Sequence, residues 1–166
     1  MIKFFDIILH IDRYLEFFAT EYRGVIYIVL FLIIFCETGL VVTPFLPGDS
    51  LLFACGALSG KGYLDPLVSF FVIFVAGVFG DTVNYHAGKY LGFKAIVKYP
   101  GVFKREYIEK THRFYDRYGG RTIVIARFVP VVRTFAPFMA GVGYMSYLRF
   151  LVYNVSGAFL WVAVMF

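Results

Sequence analysis

Apolar and polar positions along this chain fall into long blocks, and the blocks predict helices. Over residues 1–22, Phe4, Ile8, Ile11, Leu15 and Phe18 recur at helical spacing, with Lys3, Asp6, Arg13 and Glu16 elsewhere around the wheel. That pattern predicts an amphipathic N-terminal helix, lying in a membrane interface or packed on a bundle. Residues 24–36 form a strongly apolar run that Glu37 interrupts, and PFLPGDS follows at 44–50 before the apolar pattern resumes over 51–58. Pro47-Gly48 is a turn signal, and Asp49 or Ser50 is a suitable N-cap for a helix starting near Leu51. Residues 37–58 therefore predict a helix broken inside a membrane. A polar turn, SGKGYLDP, occupies 59–66.

Residues 67–88 predict a clear span. Ala76, Gly77 and Gly80 would let a neighbouring helix approach closely. Its distal half is polar, with Asp81, Thr82, Asn84, Tyr85 and His86. Asp81 faces either the headgroup boundary or the bundle interior, and the nearby Lys89 favours the boundary. Residues 92–121 predict a basic surface segment with a helix whose apolar edge is Tyr107, Thr111, Phe114 and Tyr118, stopped by Gly119-Gly120. Residues 122–144 are apolar again but interrupted, and 150–166 begin another span.

The interruption is RFVPVVRTFAP, residues 127–137. An arginine at the bilayer centre costs roughly 2.5–3.5 kcal/mol on insertion scales. Arg127 and Arg133 therefore need a partner, a water-filled cavity or a ligand. Pro130 and Pro137 each remove a backbone donor, and broken backbone at membrane depth survives only when buried in protein or lining a cavity. With Pro44, Pro47 and Gly48 in the first half, there are two such breaks. Helix, broken segment, small-residue exit, turn and span occur in that order in both halves, as in inverted-repeat transporters. The fold class expected is an all-α, polytopic membrane protein with two re-entrant or broken segments in an inverted repeat.

Composition agrees with a membrane protein: of 166 residues, 60% are hydrophobic and only 16% charged. Nine cations against three acids between Lys89 and Arg121 leave that segment at +6, more than the +5 of the whole chain. The positive-inside rule puts it in the cytoplasm. Flanking membrane segments argue against nucleic acid as the partner of this charge. Asp6, Asp12 and Glu16 break up any cleavable signal at the N-terminus. Cys36 and Cys55 lie in apolar runs and read as buried thiols. Glu37, Asp49 and Asp81 are too scattered for a metal site, and no cofactor is expected.

Four ionisable residues lie in or beside the breaks: Glu37 and Asp49 in one half, Arg127 and Arg133 in the other. Buried charges avoid their desolvation cost by pairing, so the halves are expected to bring these groups together. They could serve as structural salt bridges or as a site. In a site, the carboxylates would exchange protons and the arginines would hold a phosphate through their planar forks.

At these residues the chain resembles the DedA family, also described as the SNARE-associated or VTT-domain family. The matching stretches are Glu37 with PFLPGDSLLFACGALSG at 44–60, AGVFGDTVNYHAGKYLG at 76–92, and RFVPVVRTFAPFMAGVGYM at 127–145, followed by Asn154, Gly157 and Trp161. The resemblance implies two re-entrant segments, a bacterial inner-membrane location and proton-dependent movement of undecaprenyl phosphate or another phospholipid. It matches the family's functional acids to Glu37 and Asp49, and its functional arginines to Arg127 and Arg133. Family members continue past the tryptophan into a final helix, so residues 23–166 are expected to be a membrane domain lacking that helix. The alternatives are a structural or assembly factor in envelope homeostasis, and a lipid phosphatase. For the phosphatase, none of His10, His86 and His112 stands beside a Ser or Cys as a base would. His86 is expected at a helix end and His112 on a solvated helix face. The expected reading is therefore a carrier and not an enzyme, with oligomeric state open.

Overall fold

A computed structural model describes residues 23–40, 48–98 and 105–166. The amphipathic stretch 1–22 and the prolines Pro44 and Pro47 lie outside the described residues. The described chain is helical throughout. Helix α1 is Arg23–Gly39, α2 Gly48–Gly60, α3 Pro66–Lys98 and α4 Arg105–Tyr118. A 3-10 turn, Gly119–Arg121, leads into α5, Thr122–Ala126; then come α6, Pro130–Met139, a π-helical turn, Ala140–Tyr144, and α7, Tyr147–Met165.

Two of these helices are long and apolar enough to cross a membrane: 27 residues over Pro66–Gly92, and Tyr147–Met165. At 1.5 Å per residue they reach roughly 40 and 28 Å, against a hydrocarbon core of about 30 Å. Only a third of each span is buried. Phe71, Phe79, Val83, Leu148, Phe159 and Val164 point outward, as helices bathed in lipid require and helices in water do not.

Helix α3 is the central element, with α1, α6, the π-helical turn and α7 all packed on it. Small residues make this possible. A methyl group at Gly80 would overlap the Thr38 hydroxyl of α1, one at Gly88 the Phe138 carbonyl, and one at Gly141 the Tyr85 carbonyl. The expected span ended at residue 88. The helix instead runs on to Lys98 and is broken only at Gly92, whose φ of 43° suits glycine.

The core forms two apolar clusters, with α3 and α7 running through both. Ile26, Leu30, Ile34, Leu51, Leu52, Ile73 and Trp161 build one. Tyr85, Tyr115, Ile123, Val132, Phe135, Phe138 and Phe150 build the other. Along α3, Asp81 falls between Ala76 of the first and Tyr85 of the second. Along α7, Asn154 and Gly157 fall between Phe150 and Trp161. A buried polar layer thus separates the clusters.

The second helix break is present, with a correction. Phe128 and Val129 donate to Ile125 and Ala126 at 3.1 and 2.9 Å, closing a tight turn. Val129 is extended, and Pro130 takes the first position of α6, where its missing N–H removes no helical bond. Pro137 does not break the helix: it lies inside α6, which continues to Met139. Interruption comes later, where the π-helical turn carries Gly143 at φ 151° and is followed by extended Met145. In the first half, α1 stops at Gly39 and α2 restarts at Gly48. Asp49 and Ser50 accordingly lie within the first turn of α2 rather than capping a later start.

Helix α4 docks on α6 through Thr111 and Tyr115, both buried. The Tyr115 hydroxyl donates to the Ala136 carbonyl at 2.8 Å. The expected Thr111 is thus on the buried edge, joined by Tyr115; the side chains of Tyr107 and Phe114 lie outside the described atoms. His112 lies on the exposed face, as expected, 3.4 Å from Asp116.

Candidate functional site

The polar layer is built by five elements. The last turn of α1 contributes Glu37 and Thr38, and the middle of α3 contributes Asp81, Thr82 and Asn84. The turn after α5 contributes Arg127, the first half of α6 Arg133 and Thr134, and α7 Asn154 and Trp161.

Arg133 Nη2 lies 3.3 Å from Glu37 Oε1, with side-chain exposures of 7% and 10%. This is the cross-half acid–base contact expected from the sequence. Arg127 behaves differently. Its Nη2 donates to Asp81 Oδ2 at 2.5 Å and to Asn154 Oδ1 at 2.7 Å. Both charged side chains are almost wholly enclosed, at 3% and 4% exposure. Asp81 is thus a buried counter-ion rather than a residue at the headgroup boundary. It sits one helical turn after Gly77, on the small-residue face that α3 turns inward.

Asn154 is oriented in its turn, donating through Nδ2 to the Val78 carbonyl at 3.0 Å. Asn84 ties three elements by donating to the carbonyls of Thr38, at 3.3 Å, and Thr134, at 2.9 Å. Both guanidinium groups lie over the one indole: Arg133 is 4.4 Å and Arg127 5.7 Å from the Trp161 ring centre. Such cation–π contacts contribute about 2 kcal/mol or more when desolvated. The layer therefore contains two acids and two arginines in close apposition, with Trp161 of the first apolar cluster lying against both guanidinium groups.

The expected residues thus divide. Glu37 and Arg133 meet each other, and Arg127 meets Asp81, which was not among the expected site residues. The side chain of Asp49 lies outside the described atoms. Gly48 opens α2 and Pro130 opens α6. His86 is not at a helix end: it is half-buried within α3, its Nδ1 2.8 Å from the Thr82 carbonyl, with its ring against Tyr85 and Tyr147.

Sequence signals for the missed residues exist. Gly77 and Asp81 are four apart, while Asn154, Gly157 and Trp161 follow one another at steps of three and four. Each set occupies one helix face. A small residue beside a polar one on that face marks where a long cation can be accommodated.

Long apolar helices with lipid-facing surfaces, joined around buried ion pairs, define an integral membrane protein of the helical class. Residues 46–166 match the VTT domain. The chain is 55% identical over 161 residues to Protein DedA of Escherichia coli, an alignment covering 95% of this chain and 73% of that protein. It is 34% identical over 143 residues to the inner membrane protein YqjA of Escherichia coli, covering 86% and 65%. It is 42% identical over 130 residues to an uncharacterized membrane protein of Mycobacterium leprae, covering 78% and 58%. The chain belongs to the VTT-domain family, the DedA family of membrane proteins. No solved structure matches it.

Proposed function

We propose that the chain carries a phosphate-bearing lipid, undecaprenyl phosphate or a phospholipid, across a bacterial inner membrane in a proton-coupled cycle. The observation that carries this reading is the Glu37–Arg133 pair, a nearly buried carboxylate and guanidinium 3.3 Å apart at a helix break. Arginine stays charged, and its fork suits phosphoryl oxygens. One proton on Glu37 removes the charge that Arg133 faces, and a phosphate can then supply the missing anion. Proton and phosphate favour each other's binding in such a site, and the coupling is reciprocal. In this reading Glu37 and Asp49 are the coupling acids and Arg133 is the headgroup cation. Arg127, engaged with Asp81, shares the same indole.

The basic segment 89–121 faces the cytoplasm in this reading, and the units containing the two breaks form an inverted repeat. The element order supports that arrangement, since in each half a helix stops, restarts shortly afterwards and leads to a long span.

The enclosed Asp81–Arg127–Asn154 network favours a second reading, in which the charges serve packing only and the protein is an envelope assembly factor. The two readings separate on an exchange of Glu37 and Arg133 with each other. Packing alone predicts retained function in the exchanged protein; carriage predicts loss. The direct test is reconstitution into vesicles with a labelled polyprenyl phosphate on one side. Flux that depends on the protein and changes with an imposed pH gradient supports the carrier, whereas no flux above protein-free vesicles rejects it.

A further inference from the structure

The two arginines lie over one indole but in different surroundings. Arg127 is enclosed on every described side. One nitrogen serves two acceptors, Asp81 and Asn154, drawn from α3 and α7. A methyl group on Gly77 would come within 3.4 Å of Nη1, and one on Gly157 within 3.4 Å of Nε. The guanidinium thus fits a slot that two missing side chains leave open. Arg133 has a longer ion contact, to a more exposed acid, and its guanidinium carbon lies 4.4 Å from the Trp161 ring centre.

We propose that the pairs divide the work: Asp81, Arg127 and Asn154 form a permanent clamp, while Arg133 alone exchanges its carboxylate for a phosphoryl oxygen. Asp81 and Asn154 have a structural role: they hold the 127–129 turn against α3 and α7 through Arg127. Withdrawing Arg127 toward a headgroup would strand the Asp81 carboxylate in a dry interior, a strongly unfavourable change. For Arg133 the cost is smaller, since Glu37 is less enclosed than Asp81, at 10% against 4% exposure, and one proton neutralises it as the phosphoryl oxygen takes its place. No covalent bond changes in the lipid. The clamp stands on geometry alone, and the assignment of Arg133 rests on the carrier reading.

The test uses the purified protein in mixed micelles, with two readouts: the thermal midpoint, and its shift on adding phosphatidate or, separately, inorganic phosphate. Asp81→Asn or Arg127→Gln should each lower the midpoint by roughly 6–12 °C, and the double variant should recover at least half of that loss. Glu37→Gln and Arg133→Gln should lower it less. Phosphatidate should stabilise the native protein and the Asp81→Asn/Arg127→Gln protein alike, but not Arg133→Gln. Asn154→Ala leaves no stranded charge; it should fold, lose a few degrees with its contacts to Arg127 and the Val78 carbonyl and keep the phosphatidate response. An unchanged midpoint in Asp81→Asn overturns the clamp. So does loss of the phosphatidate response in folded Asn154→Ala or in the folded double variant. If phosphatidate leaves even the native protein unshifted, the lipid reading and the role of Arg133 fail, and the midpoints still decide the clamp. An equal response to inorganic phosphate at the same concentration overturns the lipid as the source of the anion.

Discussion

The guanidinium carbon of Arg133 lies over the indole of Trp161, 4.4 Å from its centre. That contact joins the helix starting at the second break to the last described span, while Nη2 of the same guanidinium lies 3.3 Å from Glu37 Oε1. An aromatic face holds a cation without consuming its hydrogen-bond donors, so the indole holds Arg133 beside Glu37 without competing for that ion pair.

Replacing Trp161 should therefore weaken the site without unfolding the protein when the ring is kept. Trp161→Phe should retain most of the thermal stability and lose about three- to tenfold in phosphatidate affinity, while Trp161→Leu should lose tenfold or more. Binding titrations on the purified variants check this ordering, and equal affinities for the three proteins would contradict it.

The proton and the phosphate are linked through Glu37. A charged Glu37 competes with phosphate for Arg133, and a protonated one does not, so binding of a phosphodiester lipid should strengthen as pH falls. Glu37→Gln mimics the protonated acid: its affinity should be high and nearly flat with pH. Phosphatidylglycerol is a suitable probe, because its own charge is constant across the neutral range. A native affinity independent of pH would contradict the linkage.

Helix packing around α3 has its own test. Gly88→Ala puts a methyl group into the Phe138 carbonyl, which is backbone and cannot swing away. Overpacking of this kind costs about 1–3 kcal/mol, so the thermal midpoint should fall by several degrees. Gly24→Ala meets nothing within 4 Å and should leave the midpoint unchanged or slightly higher. Equal effects at the two positions would contradict the close approach of α3 and α6.

Tyr115→Phe removes the hydroxyl that ties α4 to the Ala136 carbonyl. A net loss of about 1 kcal/mol is expected, concentrated at the α4 contact. Hydrogen exchange should show faster amide turnover in α4 with α3 unaffected.

Much of this architecture was legible in the residues. Runs of apolar side chains gave the spans, Pro130 gave the second break, and unpaired charges in hydrocarbon required Glu37 to meet an arginine. Less was legible where local signals compete. Lys89 drew Asp81 toward the membrane surface, yet Ala76, Gly77 and Gly80 had already turned that face of α3 inward. Pro137 reads as a breaker, but one lost donor is tolerated inside a helix packed on all sides. Nothing local marks Tyr115 as a buried position of α4, because its hydrogen bond goes to a carbonyl 21 positions away. Pairing between specific charges is set by tertiary placement: Arg127 could have faced Glu37 or Asp49 as well as Asp81, and only the crossing of α3 and α7 selects among them.

The central claim is that Glu37 and Arg133 exchange partners during transport, and flux in vesicles tests it most directly. Native protein should move labelled polyprenyl phosphate at a rate set by the imposed pH gradient. Glu37→Gln, inserted to the same level, should lose the gradient dependence, and Arg133→Gln should lose the flux. Gradient-dependent flux at the native rate in either variant would contradict the account.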